Sequence, residues 1–94
     1  MNENKPVIVR TYSAGVHFGY LVSREGREVV LERSRRIWCW YGANTLSEIA
    51  TSGLDITQSR VAAPVSITLT EAIEIIPTSA KAKASIAAVP VWEQ

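Results

Sequence analysis

Short runs of alternating apolar and polar residues, separated by glycine or polar turns, dominate the first forty positions of this chain, which is the period-two signature of strands. Val7 to Tyr12 is rich in β-branched residues and predicts a first strand, with a turn at Ser13-Ala14-Gly15. From Val16 to Ser23, the residues Val16, Phe18, Tyr20 and Val22 alternate with His17, Gly19, Leu21 and Ser23. The first set is expected to face the core and His17 to fall on the opposite face. Arg24-Glu25-Gly26-Arg27 predicts a tight hairpin connection in which Gly26 takes a positive φ. Glu28 to Arg33 then returns as a third strand, and the chain continues extended, with a bend near Ser34, through Ile37 to Tyr41.

The pattern changes after Tyr41. Thr45-Leu46-Ser47-Glu48 has the form of a capping box, in which the Thr45 hydroxyl accepts from the Glu48 amide. It opens a helix of about two turns. Leu46, Ile49 and Ala50 supply its apolar stripe and Gly53 is read as a left-handed C-terminal cap. After a polar connection from Asp55 to Ser59, Arg60 to Thr70 predicts a strand with Val65, Ile67 and Leu69 on one face and Pro64 at its edge or start. Glu71 to Pro77 combines helix-turn and strand signals; its isoleucines decide for a strand. Thr78 or Ser79 caps a second helix, Ala80 to Val89, which Pro90 stops before Val91-Trp92. The sum is an α+β fold: a mostly antiparallel sheet of four to six strands with two short helices, in a single domain spanning 1–94 with a flexible lead-in at 1–5.

Size and composition narrow what such a domain can be. A chain of 94 residues has too little material for two cores, and the one it builds is small. One cysteine and one histidine exclude an internal disulfide and fall short of a four-ligand structural metal site, so no metal and no cofactor is expected. Self-association is the reinforcement left, and a homo-oligomer is expected. The lone cysteine fits a reducing compartment. Arg10 interrupts the first apolar run before a signal-peptide core can form, and Ile86 to Trp92 is far short of the ~20 residues a membrane span needs. These features predict a cytoplasmic protein without membrane contact. The net charge of +1 argues against nucleic acid as a partner. Five of the seven arginines fall between Arg24 and Arg36, but Glu25, Glu28 and Glu32 share that window, so Arg24, Arg27 and Arg33 read as a solvated hairpin face.

The most unusual stretch is Arg33-Ser34-Arg35-Arg36-Ile37-Trp38-Cys39-Trp40-Tyr41-Gly42. As a strand it sets Arg36, Trp38 and Trp40 on one face and Ile37, Cys39 and Tyr41 on the other. An aromatic pair beside a guanidinium stacks on planar groups and attracts anions, although aromatics at this spacing also build cores and interfaces. Catalysis finds only fragments. Cys39 with His17 is a conceivable thiolate pair, but Cys39 alternates with Ile37 and reads as a small core residue. The paired carboxylates Glu71/Glu74 and Glu25/Glu28 lie at turn positions, and no glycine pattern forms a phosphate loop. The chain is therefore expected not to be an enzyme. Arg10, inside an apolar strand, is read as paired with a carboxylate, facing a ligand or an interface, or simply solvated. The turn after it, Thr11 to Gly15, offers hydroxyls and amides that could cradle an anion. The candidate binding residues are Arg10, Tyr12, Ser13, His17, Arg36, Trp38 and Trp40.

Four motifs, Arg10-Thr11-Tyr12-Ser13-Ala14-Gly15-Val16-His17, Arg36-Ile37-Trp38-Cys39-Trp40-Tyr41-Gly42, Leu46-Ser47-Glu48 and Glu74-Ile75-Ile76-Pro77, resemble a family of short proteins of unknown function from tailed phages and prophages. The resemblance covers nearly the whole chain and implies a phage-type protein acting in the host cytoplasm. By analogy of class, small phage proteins without catalytic residues often counter host defence, some as oligomeric sponges for nucleotide-derived immune signals. Three readings follow. The first is a homo-oligomeric binder of a nucleotide-like small molecule. The second is a protein that covers a host protein with aromatic and arginine anchors. The third, weakened by the near-neutral charge, is a single-stranded nucleic-acid binder.

Overall fold

The computed structural model describes residues 5–40, 42–43 and 45–91. Tyr41 and Trp92, both included in the sequence reading, lie outside them. The elements in chain order are β1 (Lys5–Thr11), β2 (Val16–Glu25), β3 (Glu28–Cys39), α1 (Leu46–Ser52), β4 (Arg60–Val61), β5 (Val65–Leu69), β6 (Ala72–Pro77) and α2 (Ala80–Ala88). All strand pairings in the sheet are antiparallel, so the fold is the α+β arrangement that the alternation predicts. Among the described residues no helix is long and apolar enough to cross a membrane.

The central path of the sheet runs β4-β3-β2-β1-β6, with β5 also paired to β3. This order has a geometric consequence. On the path β5-β3-β2-β1-β6, four flat inter-strand steps would separate β5 from β6 by roughly 19 Å. The chain from Leu69 to Ala72 can span at most about 11 Å. The sheet must therefore curl, and the Ala72 amide closes the curl by donating to the Arg27 carbonyl at 3.0 Å. Inside it pack Val7, Val9, Val29, Leu31, Leu69 and Ala72. Gly19 permits the curl: a Cβ there would sit 3.1 Å from Leu31 Cβ and Ser34 Cα.

The outer face is covered by the helices. Ile8, Phe18, Tyr20, Ile37 and Val61 meet Ile49, Ala50, Leu54, Ile86 and Val89. Both faces of the sheet are thus buried: His17 lies on the face opposite Phe18 and Tyr20, as the alternation predicts, and that face is buried there too. Val22, expected in the core, is 49% exposed. The register between β2 and β3 shifts between Leu21 and Ser23, which displaces Val22 from the alternation near the hairpin tip.

A second irregularity shapes β3. Arg33 has φ of 49°, and the pairing with β2 slips opposite Gly19. Before this bulge the odd-numbered Val29 and Leu31 point into the curl. After it Arg35 and Ile37 turn to the helix layer, while Arg36 shares a side with His17. The bulge also divides the partners of β3: Val29 to Ser34 pair with β5, and Ile37 and Cys39 with β4. The single strand expected from Arg60 to Thr70 is broken for this reason, at Ala62-Ala63-Pro64, where Pro64 also lacks an amide donor.

Arg35 fastens the layers together. Its side chain is buried, and its donors reach the carbonyls of Ala62 (Nε, 2.8 Å), Ile86 (Nη1, 2.9 Å) and Val89 (Nη2, 2.9 Å), with Val61 at 3.5 Å. Burial lowers its pKa from the ordinary guanidinium value, yet arginine stays charged in proteins. The last carbonyls of a helix carry partial negative charge, so the end of α2 is a favourable seat for it.

Caps set the helix positions. Thr45 accepts from the Glu48 amide at 3.2 Å, as the capping box predicts. Ser79, one of the two residues expected to cap α2, accepts from Ala82 N and donates to Thr51 O at 2.6 Å, tying the start of α2 to the end of α1. Ser85 donates to Leu54 O and accepts from Leu54 N. Gly53 has φ 88° and ψ −166°, a region essentially restricted to glycine rather than the left-handed helical cap expected.

Two stability outcomes follow from this packing. Arg35→Met keeps the length of the side chain but removes the donors to the Ala62, Val61 and Val89 carbonyls and leaves Ile86 O only the Val89 amide, and should cost about 3 to 5 kcal/mol in urea unfolding, with Arg35→Lys intermediate. Gly53→Ala combines a forbidden backbone region with a Cβ 2.5 Å from Ser85 Cβ. It should lose about 2 to 4 kcal/mol. Gly26→Ala, at φ 60° with open space around it, should lose only about 1 kcal/mol.

Candidate functional site

The β3 bulge and the β1–β2 turn together build the most chemically loaded surface. Register places His17 directly opposite Arg36, so both side chains lie on the same side of the sheet. Two residues further on, Trp38 lies beneath the Arg36 guanidinium, 4.6 Å from its carbon to the ring centroid. The indole is 51% exposed and Arg36 is exposed. The Arg36 side chain makes no hydrogen bond or ion pair among the described residues. It therefore presents a stacked cation whose donor fork is free for an external acceptor.

The turn beside it is stiff. Thr11 donates through its amide and its hydroxyl to Gly15 O, at 3.0 and 2.8 Å, and its hydroxyl accepts from the Ala14 amide. Tyr12 N donates to Glu71 O at 3.0 Å, and Ser13 Oγ donates to Glu71 Oε1 at 3.1 Å. The amides of Thr11, Tyr12 and Ala14 are therefore engaged within the protein, and the expected anion cradle does not form from them. Gly15 (φ 87°) lies under Arg36, whose Nε and Nη2 would be 3.2 Å from any Cβ placed there. The Tyr12 side chain is 79% exposed. Val65 of β5, opposite Ser34 in register and 54% exposed, adds an apolar rim next to the Arg36 strand.

His17 is the buried titratable group behind this surface. Its Nε2–H donates to the Ala14 carbonyl at 2.9 Å, since a carbonyl can only accept. Desolvation lowers its pKa most, the Ala14 bond raises it, and the charge of Arg36 lowers it, with a net downward direction. The ring anchors the turn on which Arg36 rests. Cys39 is half-buried rather than in the core, and lies opposite Arg60 in register.

Two of the seven expected residues are not here. Trp40 packs against the outer core, because β3 ends at Cys39 and the alternation ends with it. Arg10 alternates with Ile8 on that same outer side and faces Glu74 of β6 in register. With Val16, Thr45, Leu46 and Ser47 they line an open cleft of about 420 Å³ beside the start of α1. The structure thus brings His17, Arg36 and Trp38 to one side of the sheet, holds Tyr12 and Ser13 against Glu71 in the adjoining turn, and sets Arg10 and Trp40 apart on the opposite side. Among the described residues no three His, Cys, Asp or Glu side chains converge on a metal-binding arrangement. Arg35 is the residue that sequence reasoning missed; its place two positions before Ile37, on the side read as core, was the available signal.

The lowered pKa of His17 dictates a pH dependence. The unfolded chain takes up its proton near 6.5 and the folded protein only at lower pH. The stabilisation is present above about pH 6.5 and lost as pH falls toward the folded value. Urea midpoints measured from pH 7.5 to 5 should fall for the wild type, and His17→Gln should flatten that component of the profile.

No curated protein and no solved structure shows significant similarity to the chain. A sequence-family model matches residues 4–86, that is, nearly the whole span from β1 to α2. The chain belongs to the family described as a domain of unknown function, DUF6948.

Proposed function

We propose that this protein is a non-catalytic, self-associating binding protein that engages a partner protein through the Arg36–Trp38 face. One observation carries the reading: a guanidinium stacked at 4.6 Å on a half-exposed indole, without an ion pair among the described residues, over Gly15 of the β1–β2 turn and next to the strand position that faces exposed Val65. Tryptophan, tyrosine and arginine are the residues most often responsible for affinity in protein interfaces. An open face suits an extended partner better than a small molecule, which binds in clefts that enclose most of its surface. The complementary partner surface carries a carboxylate to meet the Arg36 fork and an apolar recess for Trp38. The resemblance to short phage proteins supports a host protein as that partner and the host cytoplasm as the setting.

A second reading retains the nucleotide-derived signal, as in an anti-defence sponge. The free Arg36 fork beside a stacking surface favours it, with a second copy of the chain closing the other side of the ligand. Nucleic acid remains the weakest reading on charge grounds.

The readings separate in one set of binding measurements. A host protein captured by the wild-type chain and purified should lose affinity by at least about 30-fold, roughly 2 kcal/mol, with Trp38→Ala or Arg36→Ala, and change less than about threefold with Arg10→Ala. Unchanged affinity in the Trp38→Ala variant would defeat the proposal. Calorimetric binding of a cyclic dinucleotide or ADP-ribose below about 10 μM, abolished by the same substitution, would put the sponge reading in its place.

A further inference from the structure

We propose that the cleft between β1, β6 and the start of α1 is a second, separate binding site, built for a small zwitterion: a free α-amino acid with an aromatic or apolar side chain. The argument begins with two opposite charges. Arg10 and Glu74 are direct cross-strand neighbours, and both are exposed. Directly opposed residues bring their Cβ atoms within about 5.5 Å. Yet their side chains form no ion pair with each other, and neither side chain makes a hydrogen bond or ion pair with any other described residue. Both flank one cleft of about 420 Å³, whose remaining lining includes the Trp40 indole, Val16 and Leu46. That volume falls within the range of small-ligand sites.

The charge arrangement selects the ligand. An anion alone gains from Arg10 but is repelled by Glu74, and a cation alone meets the reverse. A nucleotide phosphate is disfavoured for this reason, which separates this site from either reading of the Arg36–Trp38 face. A molecule carrying an ammonium and a carboxylate on one carbon satisfies both groups at once, with the carboxylate on the guanidinium fork and the ammonium on Glu74. Trp40 and Leu46 then offer the apolar wall for the side chain, where an aromatic ring or the ammonium itself meets the indole.

Three probes sharing one ring test this directly: L-phenylalanine with both charges, 3-phenylpropanoate with the carboxylate alone, and phenethylamine with the ammonium alone. Titrations followed by amide chemical shifts should show L-phenylalanine binding at least about tenfold tighter than either. The shifts should centre on Arg10, Val16, Trp40 and Leu46 and leave Arg36 and Trp38 unmoved. Glu74→Gln should reduce phenylalanine to the affinity of phenylpropanoate, and Arg10→Gln should reduce it to that of phenethylamine. Equal affinity for the three probes, no saturation by phenylalanine up to ~10 mM, or shifts mapping to the Arg36–Trp38 face would overturn the proposal. The three probes on the wild-type chain decide the matter even if a variant folds poorly.

Discussion

A buried guanidinium holding backbone carbonyls is the interaction on which this small fold turns. Arg35 reaches β4's flank at Ala62 and the last carbonyls of α2 at Ile86 and Val89. An isolated buried charge is costly, and a carboxylate partner would be the common remedy. Here the compensation comes from carbonyl dipoles, among them the negative end of a helix, which cannot be protonated away. The arrangement suits a chain of 94 residues with one cysteine, for which neither a disulfide nor a large core is available. One side chain joins the sheet, the short β4 segment and the helix layer.

The backbone irregularity that turns Arg35 to the helix layer also turns Arg36 and Trp38 to the other side of the sheet, the side of His17. Arg33 adopts φ 49° where no glycine is present, and the alternation of β3 shifts by one residue there. Without that shift the guanidinium of Arg35 would point into the curl, among Val29, Leu31 and Leu69. Strain of this kind persists where surrounding contacts over-determine it. Two of those contacts are visible: the Arg33 guanidinium lies 3.8 Å from the Tyr20 ring centroid, and Gly19 leaves room for β3 to pass close. Stability and the candidate binding face therefore share one local cause.

Most of the strands, both helices and their N-terminal caps were legible because alternation and capping chemistry are local, whereas the break between β4 and β5 and the conformation of Gly53 were not. Thr45 and Ser79 act as their residue types predict, and the isoleucines of β6 decided correctly for a strand. What alternation cannot show is curvature. It assigns one face to the core and one to water, whereas the curl buries Val7, Val9 and Leu31 on one side and Ile8, Phe18 and Ile37 on the other. The burial of His17, on the face opposite Phe18 and Tyr20, was not legible for that reason. Arg36 and Trp38 kept their shared face because the bulge precedes both. Trp40 left it because the strand ends one residue earlier, and a strand's end is set by tertiary partners rather than by its own residues.

The central claim, that Arg35 is the tie between layers, is tested most directly by hydrogen exchange at the guanidinium itself. In a ¹⁵N-labelled sample the Nε–H of Arg35, held at 2.8 Å on the Ala62 carbonyl, should exchange only as the protein unfolds, while the Nε–H of exposed Arg36 exchanges at the rate of free arginine. Equal, rapid exchange at both positions would show that Arg35 is not buried against these carbonyls and would contradict the account.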